Sequence, residues 1–214
     1  MSLDISQLSL GPLETNCYAV RATGSSEAIV IDPSGDVGAI SAQLAEWGVP
    51  CSAILITHGH WDHLGAVADL AEATGAPVHM AADERHLLEE VERFVPGGIA
   101  VRPWTPEVLL VGDERLEVAG IGIDTLRVPG HSPAHLAYAA DGVVFSGDVL
   151  FAGSVGRTDL PGADWPTLLS SIRLLAERLP PETIVYSGHG PPTTIGGELG
   201  TNPFLAELRA PPRP

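Results

Sequence analysis

The chain has 214 residues, enough for one domain or for a fused pair of half-domains around a shared core. With 44% hydrophobic and 18% charged residues it reads as a folded globular protein, which excludes the disordered and fibrous classes. Its 11 basic residues, all Arg, stand against 27 acidic ones; a net charge of −16 repels phosphate backbones and argues against a nucleic-acid partner.

In chain order, the most informative pattern is a short β-branched apolar run that stops at a polar or ligand-type residue. The run at 28–33 ends at Asp32, that at 53–58 at His58, that at 124–131 at His131, that at 143–148 at Asp148 and that at 183–189 at His189. Continuous apolar runs of this length predict strands buried on both faces. Their C-terminal ends are expected to converge on one site. Between them, Val37, Ile40, Leu44 and Trp47 repeat at helical spacing and stop at Gly48. Leu64, Val67 and Leu70 predict a helix directly after His63, and Asp83 is expected to cap a short helix carrying Leu87, Leu88 and Val91. The Pro- and Gly-interrupted stretch 94–112 reads as an irregular crossover. Asp164 and Pro166 open the clearest helix, with Leu168, Leu169, Ile172, Leu175 and Leu179 on one face and Pro180 at its end.

Strands flanked by helices in both halves predict an α/β fold, a four-layer αββα sandwich. It is expected to form one domain over 1–209 with a loose Pro-rich tail over 210–214. No basic leader and no apolar run of membrane-spanning length is visible, so a cytoplasmic setting without a membrane partner is expected. Cys17 and Cys51 form no CxxC pair and are read as small buried hydrophobes.

The stretch T-H-G-H-W-D-H at 57–63 packs His58, His60, Asp62 and His63 behind a predicted strand. Imidazole nitrogen and carboxylate oxygen are the usual donors to zinc and related divalent ions. On an extended loop His58 and His60 can straddle one ion, while Asp62 and His63 can aim at a second. His131, Asp148 and His189 each follow a Gly at a separate strand end, which leaves space for a tight turn and an ion. His135 is expected to brace the loop behind His131, His79 to be a semi-buried strand residue and His86 to face solvent. Tyr18 and Tyr138 are read as core packing.

The pattern H-x-H-x-D-H at 58–63 with His131, Asp148 and His189 resembles the metallo-β-lactamase-fold superfamily over nearly the whole chain. By that resemblance His58, His60 and His131 hold one metal, Asp62, His63 and His189 hold a second, and Asp148 bridges them. Two divalent ions are implied, zinc first, with iron and manganese compatible with the same donors. The His at 60, where flavodiiron proteins carry Glu, argues against an electron-transfer diiron protein. The segment G-S-V-G-R-T-D-L-P-G-A-D at 153–164, together with L-G-P-L-E-T-N-C-Y at 10–18 and T-N-P-F-L at 201–205, is similar to small glyoxalase II-like hydrolases. The 153–164 segment is similar to persulfide dioxygenases as well. Arg157 is the candidate for the site mouth or a substrate carboxylate; pairing with Asp159 or Asp148 to brace the loop is the alternative.

The implied activity is hydrolysis of a small hydroxyacyl thioester by a metal-bridging hydroxide, with Asp62 orienting it and carrying a proton. No Ser or Cys nucleophile is then needed. Two-domain glyoxalase II supplies basic contacts to glutathione from a further helical domain. This sequence has no Lys, so those contacts are not carried over and the thiol carrier stays open. A mononuclear iron persulfide dioxygenase, a lactone or β-lactam hydrolase, and a non-enzymatic metal-binding module are the competing readings. Oligomeric state is not legible.

Overall fold

A computed structural model describes residues 2–209; the tail expected over 210–214 lies outside the described residues. The first half builds one six-stranded sheet from β1 (Leu3–Leu10), β2 (Thr15–Ala22), β3 (Ala28–Ile31), β4 (Cys51–Leu55), β5 (Val78–Ala81) and β6 (Val108–Leu110), in that spatial order. β1, β2 and β3 pair antiparallel, whereas β3 through β6 run parallel. Parallel neighbours need crossovers, and α1 (Val37–Trp47), α2 (Val67–Thr74) and α3 (Arg85–Glu89) lie in them.

The second half adds β7 (Arg115–Val118), β8 (Ile121–Arg127), β9 (Leu136–Ala140), β10 (Val143–Gly147), the small hairpin β11 (Leu150–Phe151) and β12 (Ser154–Val155), α4 (Trp165–Arg178), β13 (Ile184–Ser187), β14 (Thr193–Thr194), α5 (Ile195–Thr201) and α6 (Ala206–Arg209). Its six-stranded sheet has the order β14-β13-β10-β9-β8-β7.

Strand alternation sorts the core into three layers. Ile29, Ile31 and Leu55 point between the sheets to meet Ile123, Leu136, Tyr138 and Phe145. Val30, Ile54 and Met80 point outward to Ile40 and Leu44 of α1 and Leu70 of α2. On the other face Val144 and Val185 pack with Leu168, Ile172 and Leu175 of α4. This is the αββα sandwich that the strand and helix pattern predicts.

The helix punctuation works as its chemistry dictates. The Asp36 carboxylate accepts from the Ala39 N–H at 3.1 Å, and Gly48, at φ +67°, returns its own N–H to Ala45. The Asp164 carboxylate accepts from the Thr167 N–H at 2.9 Å, with Pro166 in the first turn.

Four local expectations are corrected. Asp83 caps no helix; it lies inside a 3₁₀ turn at Ala82–Glu84 and its carboxylate meets Arg127 at 2.8 Å. The crossover 94–112 contributes β6, because an exposed parallel edge beside β5 is free to pair. Asp62 and His63 sit on a 3₁₀ turn at Trp61–His63, and α2 begins only at Val67. β8 alternates between buried and exposed instead of being covered on both faces, since only β7 separates it from the sheet edge.

Tyr18 and Tyr138 belong to the layer between the sheets, and each aims its hydroxyl at a strand end: Tyr18 donates to the Ser187 carbonyl at 2.6 Å and Tyr138 to the Ile56 carbonyl at 2.7 Å. Removing such a donor leaves a buried acceptor without its partner. Tyr138→Phe is expected to destabilise the fold by about 1–2 kcal/mol. Urea unfolding that shows a lowered midpoint at unchanged slope checks this.

Candidate metal centre

All five predicted strand ends converge, and the donors at them form three overlapping groups: His58, His60 and His131; His58, His63 and Asp148; and Asp62, His63 and His189, with the donor atoms of each group within 4.8 Å of one another. His58 follows β4, Asp148 follows β10, and His189 follows β13; His131 lies on the loop between β8 and β9. His60 Nδ1 lies 3.0 Å from His58 Nε2 and 2.8 Å from His131 Nε2. Four nitrogens about 2.05 Å from a tetrahedral zinc would lie roughly 3.3 Å apart, so these spacings are close to the edge of such a shell. Asp148 lies between the groups, with Oδ1 at 3.4 Å from His63 Nε2 and Oδ2 at 3.5 Å from His131 Nε2 and 3.6 Å from His189 Nε2.

Donor and acceptor accounting assigns the protons. Asp32 accepts from the Thr57 N–H at 2.8 Å and the Thr57 hydroxyl at 2.7 Å, so the hydroxyl proton points away from His58. Thr57 Oγ1 is then left to accept from His58 Nδ1–H at 3.0 Å, and His58 Nε2 keeps a bare lone pair. His131 Nδ1–H donates to the Arg157 carbonyl at 2.9 Å, which bares its Nε2 as well. His63 Nδ1–H donates to Asp32 at 2.9 Å, while His63 Nε2 and Asp148 Oδ1 are buried without a hydrogen-bond partner among the described residues. His60 Nδ1 can donate to only one of the two bared nitrogens it faces, so one lone pair, His63 Nε2 and Asp148 Oδ1 are left for a cation to satisfy, and this donor set fits divalent metal ions.

In the metal-free protein the electrostatics divide the cluster. Burial and the neighbouring imidazoles hold His58 well below its ordinary pKa, and burial together with His131 lowers His60 to about 4. Burial also works against charge on His63, yet Asp148 and Asp32 hold it well above the usual range. Hydrogen bonds to Asp148 and Asp62 raise His189 to about 9. Burial opposes charge on both carboxylates, but His63 and His189 keep Asp148 well below, and His189 and His63 keep Asp62 below, the ordinary carboxylate value.

Backbone shape is part of the site. A Cβ on Gly188 would overlap Asp148 Oδ1, and Gly147 turns at φ +49° with a Cβ position crowded by Thr57 and His135. His135 accepts the Asp148 N–H on Nε2 at 3.1 Å and stacks on His58 with ring centroids 4.6 Å apart, so it braces and does not ligate. Arg157 reaches the mouth but binds Asp159 through two contacts of 2.6 and 2.7 Å, the bracing alternative. His79 is buried in β5 at 3.2 Å from the Pro77 carbonyl, and His86 is exposed.

Two residues escaped sequence reasoning. Asp32 orders both Thr57 and His63; its signal was present, since its apolar run ends on a carboxylate as the run before Asp148 does. Glu84 had no signal. It is 1% exposed, and its two oxygens accept from the Gly59 N–H and the Ala134 N–H, both at 2.7 Å. It thereby ties the loop of His58 and His60 to the loop of His131.

The family model described as the metallo-beta-lactamase superfamily matches residues 10–189. The hydroxyacylglutathione hydrolase GloC of Haemophilus influenzae is 33% identical, with 95% of this chain and 98% of that protein covered. Two solved structures are close: the B3 metallo-beta-lactamase BLEG-1, with TM-score 0.89 and 39% identity over 95% of this chain and 100% of that one, and TTHA1623 in a di-iron-bound form, with TM-score 0.85 and 43% identity over 94% and 100%.

Two outcomes follow from the donor accounting. Glu84→Gln replaces one acceptor by an amide N–H₂ facing a backbone N–H, and is expected to weaken metal binding about 10–100-fold by competition with a chromophoric chelator. In metal-free protein His189, raised from about 6.5 to about 9, contributes stability that is complete below pH 6.5 and is lost as pH rises through 9. The melting temperature of metal-free protein is thus expected to fall more steeply from pH 6 to pH 10 than that of His189→Asn, which scanning calorimetry at several pH values checks.

Proposed function

The chain belongs to the metallo-beta-lactamase superfamily of metal-dependent hydrolases, and we propose that within it the chain is a dinuclear hydrolase of small thioesters, glyoxalase II-like in its acyl substrate. His58, His60 and His131 would hold one ion, Asp62, His63 and His189 the other, and Asp148 both. Zinc is the first candidate, and the di-iron-bound form of the similar TTHA1623 supports iron as the alternative. Bound there, the ions supply Lewis acidity for the carbonyl and hydroxide near neutral pH.

The chain's own residues do the rest. Asp62 is ionised and only 8% exposed, and its Oδ2 accepts from the Thr15 hydroxyl at 3.0 Å. That carboxylate orients the attacking water. His60 and His189 are the partly exposed donors, so the substrate carbonyl approaches from their side. One observation carries the preference for a thioester: both carboxylates on the cleft floor, Asp62 and Asp148, stand among the candidate metal donors, so neither is a separate acid for a leaving group. A thiolate, with a pKa of about 8.5, leaves without a proton, whereas an amine does not. The name of GloC supports the same reading. The name of BLEG-1 favours a second one, β-lactam hydrolysis, in which the leaving amine needs that missing acid.

Protein purified without a metal-binding tag is expected to carry two metals per chain by mass spectrometry and to hydrolyse S-lactoyl thioesters. His60→Ala, at a half-buried position, and Asp148→Asn are expected to lower kcat/KM about 10³-fold with the circular dichroism spectrum retained. A single iron with oxygen uptake on glutathione persulfide would replace this reading with the dioxygenase.

A further inference from the structure

A cleft of about 590 Å³ opens over the donor cluster, with His60, Asp62, His131, Asp148 and His189 on its floor. Four separate segments bring large apolar side chains to its walls, beside Pro133 and the polar Asp83, His86 and Ser132: Leu13 from the turn between β1 and β2, Trp61 from the 3₁₀ turn, Leu87 and Phe94 from α3 and the chain after it, and Leu160 with Pro161 from the loop after β12. Leu13 is 52% and Phe94 45% exposed, so large apolar surface faces solvent at this mouth. Leaving such side chains in water is unfavourable, and their gathering around one opening marks a surface that is covered when occupied.

Charge points the same way. Arg157 is the one guanidinium on the described lining, and both its Nε and Nη2 are already engaged by Asp159. Asp83, on the same rim, is likewise matched by Arg127 at 2.8 Å. A ligand with two carboxylates would have to share Arg157 with Asp159 through Nη1 and would leave its second carboxylate without a guanidinium on this lining, on a protein of net charge −16. Arg157 and Asp159 are 62% and 67% exposed, so their pair is individually weak; what the walls lack is a second guanidinium.

We propose that the part of the substrate lying along this cleft, away from the reacting carbonyl, is apolar and uncharged, and that the chain prefers thioesters with such an arm to doubly carboxylated, glutathione-type ones. This rests on the thioesterase reading and names its substrate class. Leu13 and Phe94 are then specificity residues: they touch the arm and not the reacting atoms. The arm can belong to the acyl group or to the thiol, and both give the same contacts.

The test compares kcat/KM on four thioesters with metal-loaded protein. S-Octanoyl-N-acetylcysteamine carries the apolar arm on the acyl side, S-lactoyl benzyl mercaptan carries it on the thiol side, S-lactoylglutathione carries two carboxylates, and S-lactoyl-N-acetylcysteamine is the short reference. At least one apolar substrate is expected to exceed S-lactoylglutathione about tenfold, and Phe94→Ser or Leu13→Ser to lower the ratio of that substrate to the short reference about tenfold. Preference for S-lactoylglutathione, or a ratio that neither variant moves, overturns the inference. Calorimetric binding of two uncleavable thioethers, S-octyl-N-acetylcysteamine and S-methylglutathione, separates the two levels. If no thioester is cleaved but the octyl compound binds more tightly and Phe94→Ser weakens it, the thioesterase reading falls and the apolar site stands. If the octyl compound does not bind more tightly than S-methylglutathione, the apolar site falls, whatever is hydrolysed.

Discussion

His58 and His131 turn bare Nε2 atoms toward His60 Nδ1, at 3.0 and 2.8 Å, because their own protons are held on the far sides of the rings. That placement of protons organises this molecule. His58 gives its proton to Thr57, Thr57 gives its own to Asp32, His63 also donates to Asp32, and His131 donates to the Arg157 carbonyl. Each acceptor sits on a different stretch of chain, so the two sheets have to be in place before the inward nitrogens are bare. The site is thus a consequence of the sandwich, and Asp32, at φ +48° after β3, is the residue on which two of its rings turn.

The same logic explains why so many buried polar groups lie in an otherwise apolar interior. Glu84, Tyr18 and Tyr138 each reach the backbone of a strand end or donor-bearing loop, where an unpaired group would be costly. These contacts restrain the loops without touching a donor atom. Mobility of the loops would spread the donors apart, and affinity for a small ion falls steeply with such spread.

Around this polar floor the cleft changes character. Leu13, Trp61, Leu87, Phe94 and Leu160 gather at its walls and Arg157 there is paired with Asp159, whereas the floor is built of His and Asp donors. Members of one fold family can therefore share the floor and differ in substrate through the walls.

How much of this was written in the linear chain depends on the range of the interaction. Apolar runs ending in Asp or His, the seven-residue stretch 57–63, and the helix stops at Gly48 and Pro180 are local patterns, and they determined the αββα layering and the set of donor side chains. Their errors were local too: Asp83, β6 and the late start of α2 are settled by which neighbours are free to pair. Asp32 and Glu84 act across 31 and 50 positions of chain, on His63 and Ala134, and no spacing announces such partners. Arg157 illustrates the remaining gap, because Asp159 and a substrate carboxylate are equally good partners on paper. The sequence by itself determined which side chains can offer metal donors and where the apolar runs and the two longest helices stop. The tertiary structure alone decided which proton each imidazole keeps, which carboxylates brace the loops, and that four distant segments bring apolar side chains to one cleft, because each of these is a contact between residues that only folding brings within a few ångströms.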